Sequence, residues 1–223
     1  VKAISQNRDR LGRYYRIWTP EWPVISKMYR KEQFYEHVSS LNLSAPKTYT
    51  IKSVDEALRL DLSFPVIIKP SVKTFFYPHF RKKAIQTNTP DELACMLQKA
   101  AMVVPCSDLL IQEVVPGGGH CQYSYVAFFK EGKPVFGFAA RRTRQHPRDY
   151  GHASTFVETV DYPELEEISV RLLASLDYYG VCEVEFKRDP RDGRYRLMEV
   201  NARHWMWHSL AAACGVNLSL AAY

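Results

Sequence analysis

The stretch "VCEVEFKRDPRDGRYRLMEVNARHWMW", residues 181–207, constrains the fold more than any other part of the chain. Both halves alternate in polarity, as paired strands with one buried face do. On the first, Glu183 and Glu185 share a face while Cys182, Val184 and Phe186 take the other. On the second, Leu197, Glu199 and Asn201 share a face, and Arg203 follows two residues on. If Glu185 lies opposite Glu199, their side chains come within about 5 Å. That register centres the turn on Asp192 and needs an odd number of residues in it. A two-residue Asp-Gly turn misses it by one and sends each side chain to the wrong face. A bulge would restore it.

Two carboxylates and an amide oxygen at short range repel one another unless a cation sits between them. Magnesium suits such a set, because it takes hard oxygen ligands from one or two carboxylates and completes its shell with phosphates. Arg203 could then hold an anionic group beside the metal. A solvent-facing hairpin with ordinary surface charges is the competing reading. Leu197, Val200 and the run Trp205 to Trp207 argue against it, since they imply a partly buried face, where unpaired carboxylates are costly.

"EVEF" followed by "EVNAR" resembles the metal-binding end of the ATP-grasp superfamily. The wider context looks especially like its predicted carboxylate-amine ligases, a group similar to D-aspartate ligase, and the likeness spans residues 26–223. The resemblance implies an α/β (α+β) fold of two lobes sandwiching ATP. It makes Glu185, Glu199 and Asn201 the ligands of Mg2+ on the ATP phosphates, and brings Arg203 to the reacting carboxylate or acyl phosphate. "FPVIIKP" places Lys69 at the end of an apolar strand, matching a family lysine that contacts the α-phosphate. "RKEQFYEHVSSLNLSAPKT" resembles the upstream phosphate-binding element, with Lys31 as its lysine, although Arg30 stands where an acid is usual. Lys27 is the weaker alternative.

"LLIQEVVPGGG" resembles the hinge between the lobes. Gln112, Glu113, Val114 and Val115 would lie along the adenine edge, with backbone groups supplying a donor and an acceptor. His120 and Gln122 are the ribose candidates. In "ARRTRQHPRDYG", Arg142 and Arg144 match basic residues that flank the terminal phosphates, although a solvated charge cluster is the default for such a run. The segment 72–83 would be the phosphate lid, and it departs from the family in having no glycine. Lys73, Arg81, Lys82 and Lys83 could do electrostatically what backbone amides do elsewhere.

The rest of the chain alternates helices and strands. "SVDEALRL" and "TPDELACMLQKA" open with capping boxes, Ser53 to Glu56 and Thr89 to Glu92. One helix is expected over "SKMYRKEQFYEHVSSLN", and another over "PELEEISVRLLASLDYYG" with Gly180 as its stop. "QYSYVAFF" and "KPVFGFAARR" read as a hairpin around Glu131-Gly132. A final helix closes at Gly215. The expected division is 1–25, a remnant of an N-terminal α/β domain or a linker; 26–111, the first lobe; and 112–223, the second lobe with the metal site. On this reading the family's N-terminal domain is largely absent.

The net charge of +6 suits a polyanionic ligand. Acidic residues concentrated in the site speak against a nucleic-acid partner. No apolar run is long enough for a membrane span. Five cysteines without metal or disulfide spacing suggest free thiols in a reducing, cytoplasmic setting. The expected activity is ATP-dependent: a carboxylate is activated as an acyl phosphate, and an amine displaces phosphate to form an amide. The small-molecule carboxylate and amine are unspecified, and the oligomeric state is not legible. A nucleotide-binding module without ligase activity is the alternative.

Overall fold

The computed structural model describes residues 1–72, 76–146 and 153–222. Lys73 and Phe75 of the lid segment, and the end of "ARRTRQHPRDYG", lie outside the described residues. In chain order the elements are α1 (Lys2–Gln6), α2 (Arg8–Leu11), α3 (Trp22–Tyr29), α4 (Lys31–Ser40), β1 (Thr48–Thr50), α5 (Val54–Leu58), β2 (Val66–Pro70), α6 (Tyr77–Phe80), β3 (Ile85–Thr87), α7 (Pro90–Ala101), β4 (Leu109–Glu113), β5 (Gln122–Lys130), β6 (Lys133–His146), β7 (Ala153–Val160), α8 (Pro163–Ala174), β8 (Gly180–Arg188), β9 (Tyr195–Asn201), α9 (Ser209–Ala213) and α10 (Leu218–Ala222). Among the described residues no helix is long and apolar enough to cross a membrane.

The strands form two antiparallel sheets. The first has the order β1-β4-β2-β3, the second β7-β6-β5-β8-β9. The first sheet packs on α7, whose Leu93, Leu97 and Ala100 recur at helical spacing and are buried with Val66, Ile68, Leu109 and Ile111. The helix starts where the capping box puts it: Thr89 Oγ1 accepts from the Glu92 amide at 3.2 Å, and Pro90 opens the first turn. Ser53 caps α5 in the same way.

The sequence expectations need revision at several points. The single helix over 26–42 is two helices, because Arg30 is extended (φ −99°, ψ 117°) between them. Both helices lie on the core of the second sheet: Ile25, Phe34, Tyr35 and Val38 are buried with Tyr125, Phe129, Val184 and Phe186. Gln112 and Glu113 belong to β4 of the first sheet, so a division at 112 falls inside that strand. The segment after Val72 contains the helical turn α6, and Phe76 is fully buried in the first core, stacked on Phe80 with ring centroids 4.4 Å apart. Gly180 does not end α8. That helix stops at Ala174, Asp177 takes the left-handed position (φ 45°), and Gly180 begins β8. A Cβ at Gly180 would meet the Trp18 carbonyl oxygen at 2.2 Å, so only glycine lets the N-terminal segment dock there.

The hairpin at Glu131-Gly132 forms as read. Lys130 pairs with Lys133, and both turn residues have positive φ (51° and 68°), as a type I′ turn requires. The hairpin β8–β9 resolves the register question. Near the turn, Phe186 pairs with Leu197 and Arg188 with Tyr195, leaving an even number of residues, Asp189 to Arg194, in the loop. A bulge then inserts Met198, and beyond it Glu185 pairs with Glu199, Val184 with Val200, and Glu183 with Asn201. The loop has the wrong parity, and the bulge corrects it.

Candidate functional site

One face of the second sheet changes character along its strands. At one end Val126, Phe128 and Val181 are buried beneath Trp205, Ala211 and Leu218, with Trp18, Phe136, Phe138 and Trp207 packed around them. Two residues further along each strand, the same face carries Ser124, Glu183, Ala140 and then Glu185 and Arg142. The aromatic run after the hairpin therefore covers the apolar end of the face. Trp205 is 4% exposed and lies 5.3 Å from Trp207, and Trp18 meets His204 edge-on at 5.4 Å.

At the polar end the carboxylates of Glu183 and Glu185 are held by side-chain donors. Arg142 Nη2 donates to Glu185 Oε2 at 2.6 Å. Asn201 Nδ2 donates to Glu185 Oε1 at 2.7 Å and to Glu183 Oε2 at 3.1 Å, and Ser124 Oγ donates to Glu183 Oε1 at 3.0 Å. Burial, then the charge of Glu185, pushes the Glu183 carboxyl well above the usual range. Burial opposes the charge of Arg142, but Glu185 and Glu183 outweigh it and raise its pKa. Arg203 is exposed, and its Nη2 donates to Asn201 Oδ1 at 3.1 Å. Arg144, two residues beyond Arg142, is exposed beside bulges in the β6–β7 ladder.

Glu199 stands on the same face, directly across the ladder from Glu185, next to the lysines of the first lobe. It is open to solvent, yet protein surrounds it. Burial works against its charge, but Lys31, Lys69, Lys83 and Arg142 together hold its carboxyl below the usual range. Three of these four cations come from outside the second sheet. Lys69, near the end of β2, donates to Gln112 Oε1 at 2.7 Å, and Gln112 Nε2 donates to Thr48 Oγ1 at 2.7 Å. Burial, then the neighbouring charge of Lys31, pulls the Lys69 ammonium down to about 8, against the opposing pull of Glu199 and Glu185.

Lys31 is placed by a network the sequence did not announce. Arg30, which replaces the expected acid, donates through Nε to Glu32 at 2.5 Å and through Nη2 to Asp108 at 3.2 Å. Glu32 accepts from the Ser71 hydroxyl, and the Ser71 amide donates to the Asp108 carbonyl at 2.7 Å. The start of α4 is thereby tied to the end of β2, where Lys69 stands.

The hinge is more committed than the sequence implied. The amides of Glu113 and Val114 donate to Lys47 O at 3.0 Å and Pro65 O at 3.3 Å, and the Val115 carbonyl accepts from Lys187 Nζ at 2.7 Å. Groups reading a base would have to come from what remains of this segment. His120 is exposed, and its carbonyl accepts from Arg141 Nε at 3.1 Å. Gln122 keeps a buried side-chain oxygen without a partner, and directly across the ladder Arg142 keeps a buried Nε without one.

Among the described residues no three His, Cys, Asp or Glu side chains converge as a metal site by themselves. Glu185 and Glu199 stand opposite each other on a paired strand, with the Asn201 amide on the same face. That set fits magnesium, which takes few protein oxygens and completes its shell from phosphates and water. A half-turn of the Asn201 amide would exchange its nitrogen for its oxygen. Sequence reasoning missed Ser124, Glu183, Tyr35 and Glu32 as members of the site. Ser124 and Glu183 had a signal, as lone polar residues within apolar strands; Tyr35 and Glu32 had none.

The family model described as "Carbamoyl-phosphate synthase L chain, ATP binding domain" matches residues 152–222. The D-aspartate ligase of Enterococcus faecium (strain Aus0004) is 25% identical over 229 residues, covering 98% of this chain and 54% of that protein. The biotin carboxylase of Campylobacter jejuni, solved with β-γ-ATP, superposes with a TM-score of 0.77 at 12% identity, over 98% of this chain and 51% of that one. The biotin carboxylase domain of Hydrogenobacter thermophilus 2-oxoglutarate carboxylase, solved with MgADP and bicarbonate, gives a TM-score of 0.73 at 18% identity, over 95% and 48%. The chain thus spans about half the length of each.

Proposed function

We propose that this chain, an ATP-grasp fold of two α+β lobes, carries the nucleotide and metal site of an ATP-dependent carboxylate-amine ligase. The observation that carries the reading is the pairing of Glu185 with Glu199, the latter facing Lys31, Lys69 and Lys83 across the cleft. Carboxylates for a cation and lysines for phosphates are thus set on opposite walls of one cleft.

In the reaction, an oxygen of a small-molecule carboxylate attacks the γ-phosphorus of ATP. The bond to the β-γ bridging oxygen breaks, and ADP leaves. An amine nitrogen then attacks the acyl carbon, phosphate departs with the bonding electrons, and the nitrogen loses a proton. Such transfers depend on positioning and charge neutralisation more than on covalent chemistry by the protein. Lys31 and Lys69 supply positive charge for the phosphates. Glu185, Glu199 and Asn201 would hold Mg2+, which when bound neutralises charge on the transferring phosphoryl group. Arg142 orients Glu185, and Arg203, exposed at the rim, takes the reacting carboxylate, with Arg144 further out. Glu113 to Val115, His120 and Gln122 line the hinge side for the nucleoside. The five free cysteines accord with a cytoplasmic setting.

The test is ADP release by the purified chain over a panel of carboxylates and amines with Mg2+. Stimulation by one acid–amine pair is the expected result. Nucleotide binding without turnover on any pair would favour a nucleotide-binding module without ligase activity. The feature that favours that alternative is the segment 72–83, which has no glycine.

A further inference from the structure

We propose that Tyr35 is a positioning residue: its hydroxyl fixes the bulge at Met198 and thereby the face on which Glu199 stands. The inference rests on the reading of Glu199 as a cleft ligand. It adds a residue on α4 that touches neither nucleotide nor metal.

The loop leaves β9 one residue out of step, so one extra residue must be absorbed somewhere before the functional positions. If the bulge slid past Asn201, Glu199 would pair with Val184 and point into the core among Phe186 and Leu197. The bulge must therefore sit between Leu197 and Glu199. A bulged residue is left out of the ladder, and its carbonyl needs another partner.

Tyr35 supplies that partner. Its hydroxyl donates to the Met198 carbonyl at 2.8 Å, and the residue is only 8% exposed. Among the described residues β9 is an edge strand of its sheet, with no further strand beside it to do this. On the turn side of the bulge, the Leu197 amide donates to Ser44 O at 2.8 Å and Arg196 Nη1 to Ser44 Oγ at 2.7 Å. The bulge is thus held from outside by the middle of α4 and by Ser44 in the segment that follows it.

The test is Tyr35→Phe, which keeps the ring and its packing and removes only the hydroxyl. Affinity for MgADP, measured by titration calorimetry, should fall about 10- to 100-fold, the range for residues that orient metal ligands. ADP without Mg2+ should bind nearly as before, a split that a general loss of stability would not produce. Cross-strand NMR contacts between residues 185 and 199 should weaken in favour of 184 and 199. Unchanged MgADP affinity together with unchanged contacts would overturn the proposal. If the wild-type chain binds no MgADP, the nucleotide reading fails by itself, and the strand contacts in Tyr35→Phe still decide the role of Tyr35.

Discussion

The two walls of the cleft are built on opposite principles. The wall on the second sheet is crowded with acids: Glu183, Glu185 and Glu199 stand on two adjacent strands, and Arg142 and Asn201 satisfy only part of them. The wall on the first sheet is sparse. It offers Lys69 near the end of β2 and Lys83 beyond α6, with Lys31 drawn up beside them by the Arg30–Glu32–Ser71 network. The acidic wall gets its precision from strand pairing, where a one-residue error is a change of face. The basic wall gets its precision from side-chain networks anchored at strand ends. Each wall carries charge that is costly alone and is offset by the other, so the cleft works as one electrostatic unit.

Breaking the acidic wall should have the largest effect. Glu199→Gln removes the carboxylate facing the lysines and should lower ADP release at least about 1,000-fold, on the scale of losing a principal electrostatic contact. Circular dichroism and melting should stay close to wild type, since Glu199 is solvent-open. Turnover near the wild-type rate would remove the metal assignment.

Removing charge from the basic wall comes next. Lys69→Met should cost about 100-fold in kcat/KM for ATP. A pH series sharpens the comparison. Lys69 is held down to about 8, so in the nucleotide-free chain it is charged below that pH and loses its proton above it. Nucleotide affinity should therefore fall as pH rises through 8, and Lys69→Arg, charged throughout, should flatten that limb. An unaltered limb in the arginine variant would assign the dependence elsewhere.

Loosening the network behind the basic wall should do less. Arg30→Ala frees Glu32 and Asp108 without touching Lys31 itself. KM for ATP should rise about fivefold with kcat little changed, the pattern expected when ground-state and transition-state binding fall together. Steady-state kinetics check this, and an equal loss in kcat would place Arg30 in the chemical step.

The smallest effect belongs to the turn that feeds the acidic wall. Asp189 has a fully buried side chain, and hydrogen bonds from Arg191, aided by the charges of Arg191 and Arg196, hold its carboxyl down to about 2. A depressed pKa stabilises the fold above the unfolded value near 3.8, and that contribution is lost as pH falls from there towards 2. Asp189→Asn should cost about 1–2 kcal/mol at pH 7 and almost nothing at pH 2, read from denaturant unfolding.

The acidic wall was the more legible of the two. Alternation in "EVEF" and "EVNAR" fixed which residues share a face, and the parity of the turn made a bulge one of two ways to close the register. The capping boxes at Ser53 and Thr89 marked their helices because each is a local contact. What escaped was either too short or long-range. β3 is three residues, Ile85–Thr87, and carries no periodic signal. β7 is an edge strand with Phe156 half exposed, so it lacks the clean alternation of a buried strand. The packing of α3 and α4 on the second sheet, and Tyr35 beneath the bulge, depend on contacts distant in sequence, such as Tyr35 to Met198 at a separation of 163. Phe76, in the segment expected to be a phosphate lid, fills the core of the first sheet, and an aromatic in an irregular segment looks the same either way from sequence.

The bulge at Met198 also bears on how such sites are to be searched for. In this hairpin the spacing from Glu185 to Glu199 contains one residue that contributes nothing to the pairing. A chain lacking that residue, with the same turn and no bulge, would place its two acids in the same opposition. A chain with one more turn residue and no bulge would do so at the spacing found here. A fixed-gap pattern therefore splits equivalent sites into separate classes and merges some that differ. What the cases share is that each acid stands the same number of paired positions from the turn, three here, with the bulged residue left out of the count, so insertions or deletions in this hairpin should be tolerated when they keep that equality.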